Sequence, residues 1–424
     1  MIDEDFKWNP YADQPHNVAP KKDRFLYHFR FAPGYFSLFV SNVRKVVPVL
    51  SRYRKYNKNM HKTPFRLHRP FGISVSPIVR RNEEVSDCLE QLGIRNTLVR
   101  IPSWERNNLD FYEDFIGQIK EKGFDVIVSL LQRREDVRKP ESWERFLDEA
   151  FSLLKPYCTL FEIGHAWNRT KWGVWDYREY LKLAEPSVSL AKEHRVEIMG
   201  PAVIDFEFHL YPVVLKKIHF DEVSSLLYVD RAGAPENTQF GWDTPRKIAL
   251  LKAILDSCLK ESRRIWITEM NWPIAGTGKY SPAVGRMNVS EEEQADYLVR
   301  YFVLSLATGF VDRIYWWQLV APGYGLIDSR PEKWRRRPGF FAMRALAERL
   351  EGSCFEKRVP HSDAFLFFFR AQAKLLAVCW TPGPPVEYAF SLPILKVENR
   401  DGNEIPIKGN RVCLGPSPQY IHFR

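Results

Sequence analysis

From Pro70 to about residue 350 the chain keeps returning to one local pattern, in which short apolar runs rich in branched residues alternate with helical stretches. The runs fall at 72–75, 96–101, 125–131, 160–164, 197–203, 223–229, 265–269 and 313–319. Seven helical segments separate them, and Pro338 to Leu350 supplies an eighth. Such alternation predicts βαβ units on a parallel sheet. Eight units of this length close into an α/β fold of the (β/α)8 TIM-barrel type. An open doubly wound sheet is the alternative, but the phosphate-loop glycines it would usually carry after its first strand are missing.

Local signals mark several helix starts. Asp176 with Glu179, and Ser290 with Glu293, have capping-box spacing. Thr244-Pro245 puts a cap before a proline at the first helical position. Past the barrel the rhythm changes. Segments 364–369, 375–380, 386–392 and 420–423 read as short strands between Pro/Gly-rich turns, and Asp401-Gly402 is a hairpin signal. The expected organisation is an N-terminal extension over 1–66, a barrel over 67–352 and a small antiparallel β-domain over 353–424.

Charge separates the extension from the rest. The chain of 424 residues carries +10, and residues 1–66, with 13 Lys and Arg against 5 Asp and Glu, account for +8 of it. A nucleic-acid enzyme more often carries its positive charge on the folded body, so nucleic acid is not expected as a partner. The stretch 24–60 mixes Phe25, Tyr27, Phe29, Phe31, Tyr35, Phe36 and Phe39 with basic residues. Such a segment can make peripheral contact with an anionic membrane face. It can equally be a solvated arm whose aromatics dock on the barrel. Six Cys, at 88, 158, 258, 354, 379 and 413, show no CxxC spacing. With no apolar leader after Met1 and no run approaching the roughly 20 residues of a membrane span, a cytoplasmic setting with reduced thiols is expected, with association at the inner face of the membrane as an added option. His194, His209 and His219 lack metal-ligand spacing, and neither metal nor cofactor is expected.

Barrels of this kind place their chemistry at the C-terminal ends of the strands. The polar residues there are Arg100, Gln132, His165, Asp205, Glu207, Tyr228, Asp230 and Glu269, followed by Trp316, Trp317 and Gln318. Arg264-Ile-Trp-Ile-Thr-Glu-Met-Asn-Trp272 is a buried strand ending in a carboxylate. An ionised Glu269 there needs partners. Arg100 and Tyr228 could supply a counter-charge and a hydrogen bond, which a nucleophile requires. The alternative is a structural ion pair at the strand end.

That segment resembles the nucleophile strand of the clan of retaining glycoside hydrolases, especially its β-xylosidase/α-iduronidase-like branch. Phe161-Glu-Ile-Gly-His-Ala-Trp-Asn168 is similar to the clan's strand-four motif, Glu-Ile-Gly-Asn-Glu-Pro-Asn. Gly200-Pro-Ala and Ser225-Leu-Leu-Tyr228 resemble its strands five and six. Trp316-Trp317 is similar to its aromatic floor, and Gly415-Pro-Ser-Pro-Gln-Tyr-Ile to the last strand of its accessory domain. The resemblance spans roughly 70–424 and implies that Glu269 is the nucleophile. It also exposes a departure. Ala166 stands where the motif has its acid/base Glu, His165 replaces the motif's Asn, and Leu227 replaces the strand-six His.

Retaining hydrolysis uses two carboxyl groups about 5–5.5 Å apart, so something else must assist departure of the leaving group. His165 and Glu207 are the expected assistants. Otherwise the leaving group needs no proton, or the protein binds glycan without cleaving it, as a binding or scaffold protein at the inner membrane surface. The expected ligand is a polysaccharide or glycoconjugate, contacted by Arg100, Gln132, Trp167, Asn168, Tyr228, Trp317 and Gln318. Trp167, Trp172 and Trp175, with Arg169 and Lys171, form a loop suited either to sugar stacking or to plugging the barrel mouth.

Overall fold

The computed structural model describes residues 7–15, 26–27, 29, 31–230, 233–283, 287–407 and 409–424. Arg24 and Phe25 lie outside the described residues. Eight parallel strands close into a barrel: β1 (Phe71–Val75), β2 (Asn96–Pro102), β3 (Asp125–Leu131), β4 (Leu160–Ile163), β5 (Glu197–Ile204), β6 (Glu222–Leu226), β7 (Ile265–Met270) and β8 (Val311–Trp316). Each strand pairs with its neighbours in sequence, and β8 closes on β1. The fold is thus a TIM barrel with an antiparallel sheet domain at its C-terminal end.

Two strands stop earlier than the apolar runs imply. β6 ends at Leu226 and β8 at Trp316, so Tyr228, Trp317 and Gln318 stand on the loops that follow. The barrel interior is filled in layers. Leu98, Ile127, Leu160, Met199, Trp266 and Tyr315, from six strands, pack as one cluster. The next layer is polar. Glu162 on β4 is fully buried and accepts hydrogen bonds from Ser129 on β3 (2.7 Å) and Thr268 on β7 (2.6 Å). A buried carboxyl needs such partners, and these tie the strand carrying Glu269 across the barrel.

The caps follow the local signals with two adjustments. Ser290 and Glu293 form the reciprocal box. Asp176 accepts from the Arg178 and Glu179 amides, but the Glu179 carboxylate turns to the Trp175 amide and Arg134 instead of closing the box. The helix Thr244–Cys258 begins one residue before the Thr-Pro signal implies: Asp243 is its cap, accepting from the Arg246 amide at 2.9 Å.

In the C-terminal domain β9 (Cys354–Val359), β10 (Phe365–Ala371), β11 (Lys374–Trp380), β12 (Val386–Ala389), β13 (Ile394–Asn399), β14 (Arg411–Leu414) and β15 (Gln419–Phe423) are antiparallel. The main sheet runs Glu404–Ile405, β13, β15, β11, β10, β9, and ends on Phe65–Arg66 from the N-terminal side of the barrel. β9, β13 and β14 lie outside the runs expected from the sequence.

Two N-terminal helices, α1 (Ala32–Val43) and α2 (Val46–Asn59), lie against the barrel. Phe31, Gly34 and Leu38 are buried at helical spacing along one side of α1, and Val49 is buried on α2. Asn42 donates to the His209 carbonyl, Lys45 to the Ser257 carbonyl, and Tyr56 bonds Asp256. The arm's aromatics therefore dock in part, through one face. Further upstream, Trp8–Asn9 pairs with Gln14–Pro15 as a short hairpin at the barrel mouth. Trp8 packs on Trp104 and Trp172, with ring centroids 4.9 and 6.1 Å away.

Candidate active site

The C-terminal ends of the strands open on a cavity of about 400 Å³. Glu269 lies at its floor because β7 is irregular there. Between Ile267 and Met270 the strand spends three residues where β8 spends two, from Ile314 to Trp316. An extra residue of this kind re-aims the side chain beside it. Thr268 faces the interior, and simple alternation would send Glu269 outward. With the irregularity its carboxylate turns to the mouth, where it is 8% exposed.

Three donors converge on it. The Tyr228 hydroxyl donates to Oε1 at 2.8 Å, His165 Nε2 lies 3.2 Å from Oε2, and Arg100 Nη1 lies 3.6 Å from Oε2. Burial alone would raise the Glu269 pKa. The interaction with His165, the Arg100 charge and the Tyr228 hydrogen bond outweigh it and hold the carboxyl at about 2. His165 moves the other way: burial and the Arg100 charge depress its imidazole to about 4, against the pull of Glu269. At neutral pH the pair is a carboxylate accepting from a neutral imidazole.

The turn after β4 fixes His165. Gly164 has φ +79°, and a Cβ there would sit 3.0 Å from the Tyr180 ring. Gln132 grips His165 from both sides, accepting from its amide at 2.8 Å and donating to its carbonyl at 3.0 Å. Ala166 is fully buried and packs with Leu131, Trp172, Ala202 and Leu226. The place where the family motif has its acid/base is therefore filled by a methyl group in an apolar cluster.

Arg100, His165, Tyr228, Glu269 and Trp317 all line the cavity. The other residues expected to contact ligand do not. Gln132 spends its amide on His165 and on the Trp172 carbonyl. Trp167 is corrected from the cavity to the core: it stacks on Tyr180 at 4.4 Å and donates to the Pro201 carbonyl. Asn168 bridges Ile204 and Glu207, and Gln318 donates to Ser76 and the Val320 carbonyl. Glu207 is held by Arg169 and Asn168 outside the lining.

Residues not singled out from the sequence complete the site. Asp13, from the N-terminal hairpin, lies 3.4 Å from the same Arg100 Nη1 that faces Glu269. Gln14 accepts from Lys171 Nζ at 2.6 Å and donates to the Pro282 carbonyl at 2.6 Å, which anchors the hairpin. Asn271, two residues past Glu269, donates to the Trp317 and Tyr324 carbonyls and sets the loop that presents Trp317. Trp317 stacks on Tyr324 at 4.4 Å, and the Arg100 guanidinium lies 4.9 Å from its ring centroid. Among the described residues, Nε and Nη2 of Arg100 and Nε1 of Trp317 are buried donors with no protein acceptor. No local pattern marks Asp13, because only the closed fold brings it to Arg100.

The described residues hold no group of three or more His, Cys, Asp and Glu able to bind a metal ion. The spread of support over Glu269 is testable directly. A hydrogen bond to a charged group contributes about 1.5–3 kcal/mol. In a Tyr228→Phe variant the Glu269 carboxyl, followed by carbon NMR, is expected to titrate roughly 1 to 2 pH units higher than in the parent. An unchanged titration would show that the hydroxyl does not support the charge.

Comparison with known proteins bears on the fold. No family model matches the chain, and no curated protein matches it. Solved structures do. A family 39 glycoside hydrolase from Bacteroides cellulosilyticus superposes with a TM-score of 0.68 at 16% identity, over 84% of this chain and 81% of that one. A GH51 arabinofuranosidase from Xanthomonas axonopodis pv. citri gives 0.58 at 12% identity, over 87% and 98%. A GH30 endoxylanase from Clostridium papyrosolvens gives 0.56 at 13% identity, over 86% and 98%. The fold is one that glycoside hydrolases share. At these identities the likeness concerns architecture, and chemistry has to be argued from the site.

Proposed function

We propose that this protein cleaves a glycosidic bond in a polysaccharide or glycoconjugate with retention of anomeric configuration, and that Glu269 is the nucleophile. The observation that carries the reading is the ionised Glu269 carboxylate, buried at the barrel mouth and held by Tyr228, His165 and Arg100. The glycoside hydrolase fold supports it. In the first step a bond forms between Glu269 and the anomeric carbon while the bond to the leaving oxygen breaks. In the second, water gives a proton to the group that had protonated the leaving oxygen, displaces Glu269 and restores the carboxylate. Trp317, which lines the cavity beside Glu269, floors the sugar.

The leaving oxygen must still gain a proton. His165 is a poor source, because a ring depressed to about 4 is already neutral at physiological pH. Glu207 is engaged with Arg169 away from the cavity. Asp13 is better situated. Its carboxylate and that of Glu269 approach one Arg100 nitrogen at 3.4 and 3.6 Å, so these oxygens are at most the sum of the two apart. That limit includes the roughly 5–5.5 Å of retaining pairs. Burial raises the Asp13 pKa to about 6, with Arg100 opposing and Glu269 adding to the rise.

The sign of the pH dependence follows. Catalysis needs Glu269 ionised and Asp13 protonated, so kcat/KM is expected to rise through about 2 and fall as pH rises through about 6. Asp13→Asn should remove the falling limb. Its loss should approach a general acid's usual factor of about 10²–10⁴ on aryl glycosides with basic leaving groups and shrink on acidic ones. An equal loss across the series would assign Asp13 a role other than proton donor. Proton NMR of the first sugar released tests the stereochemistry, and an inverted anomer would overturn retention.

A second reading, glycan binding without cleavage at a cytoplasmic membrane face, draws support from Ala166, buried where the acid/base carboxyl would stand. It predicts no turnover on any activated glycoside, together with measurable oligosaccharide affinity.

A further inference from the structure

The docked face of α1 and α2 leaves an opposite face without a protein partner among the described residues. Phe36, Phe39 and Val43 follow one another at i, i+3 and i+7 on α1, and Phe36 and Phe39 are 69% and 64% exposed. Val46, Val47 and Leu50 continue the exposed apolar surface at the start of α2, with Val47 at 78%, and Phe29 precedes it at 77%. Scattered exposed apolar residues are normal. Two aromatics and several branched residues concentrated on successive turns are a surface that water does not favour.

Charge identifies the occupant. From Arg24 to Asn82 the sequence contains no Asp or Glu. Arg44, Arg54, Lys55 and Lys58 are exposed on the same two helices, and among the described residues none of them forms an ion pair. An apolar helix face flanked by unneutralised cations fits a lipid surface whose headgroups are anionic and whose acyl boundary accepts aromatic rings. No described helix is long and apolar enough to cross a membrane, so the contact is with the surface.

We propose that α1 and the first turns of α2 dock this protein on an anionic lipid bilayer, with Phe36, Phe39 and Val47 entering the headgroup region. The proposal is independent of the catalytic reading. The full-length protein is expected to float with phosphatidylcholine–phosphatidylglycerol vesicles, to bind vesicles of phosphatidylcholine alone far more weakly, and to be released in part by high salt. A Phe36→Ser/Phe39→Ser double variant should bind the anionic vesicles at least roughly tenfold more weakly. Both rings are exposed, so its melting temperature should match the parent's. Glu269→Ala should bind vesicles like the parent, which separates this proposal from the fate of the proposed chemistry.

Failure of the parent to bind anionic vesicles would overturn the docking, as would binding that the double variant leaves intact. A parent that forms dimers in solution, with the double variant monomeric and neither binding lipid, would show that a second copy covers the face and would equally overturn it.

Discussion

Replacing Glu269 with alanine is expected to reduce turnover of activated aryl glycosides by roughly 10³-fold or more, the scale on which removal of a covalent nucleophile acts. The loss has a chemical signature. In the parent, azide intercepts the glycosyl-enzyme, and the sugar azide keeps the configuration of the substrate. In Glu269→Ala the space left by the carboxylate admits azide itself, so turnover partly returns and the sugar azide is inverted. Folding should survive, because Arg100 keeps a second counter-charge in Asp13 at 3.4 Å. Activity within tenfold of the parent, or a retained azide product from the variant, would remove Glu269 from the nucleophile's role.

The largest effect on stability is expected at Arg337, which is fully buried at the start of the helix Pro338–Leu350. Its guanidinium donates to the carbonyls of Ala321, Pro322 and Gly325 and pairs with Glu291 and Asp328. It therefore gathers the loop that follows β8, the same loop that stacks Tyr324 on Trp317. Removing it strips the Ala321, Pro322 and Gly325 carbonyls of their buried donor and takes one cation from Asp328 and Glu291, which Arg330 and Arg335 still reach, at a cost of about 3–5 kcal/mol. Arg337→Met should lower the unfolding temperature by several degrees and speed amide exchange across 319–328. Arg337→Lys should recover little, because a single ammonium cannot reach acceptors spread over the whole planar fork. An unfolding curve for Arg337→Met that overlays the parent's would refute this account.

The barrel was legible from sequence because its signals are local. Strand runs, amphipathic helices and caps such as Ser290 with Glu293 are written within a few residues of one another, and eight repeats in order leave few ways to close a sheet. Glu269 was legible for a related reason: a carboxylate ending a buried strand is a local anomaly. β9 and β13 were not, because Glu356, Lys357 and Arg358 in the one and Lys396 and Glu398 in the other interrupt the apolar pattern, and β14 was not because Val412 and Leu414 alternate over only four residues.

Tertiary structure alone decided the rest. Whether Glu269 turns to the mouth depends on an irregular register between β7 and β8, which is a property of the pair. Whether Trp167 meets ligand or core depends on Tyr180, which stacks against it. Asp13 reaches Arg100 only after the whole barrel has closed and the N-terminal hairpin has settled on its rim. The sequence by itself determined the repeat, the strand ends and the residue types available there. The register of β7, the docking of the hairpin and the burial of Ala166 determined which charges meet, because electrostatic partners are chosen by distance in space and by exclusion of water.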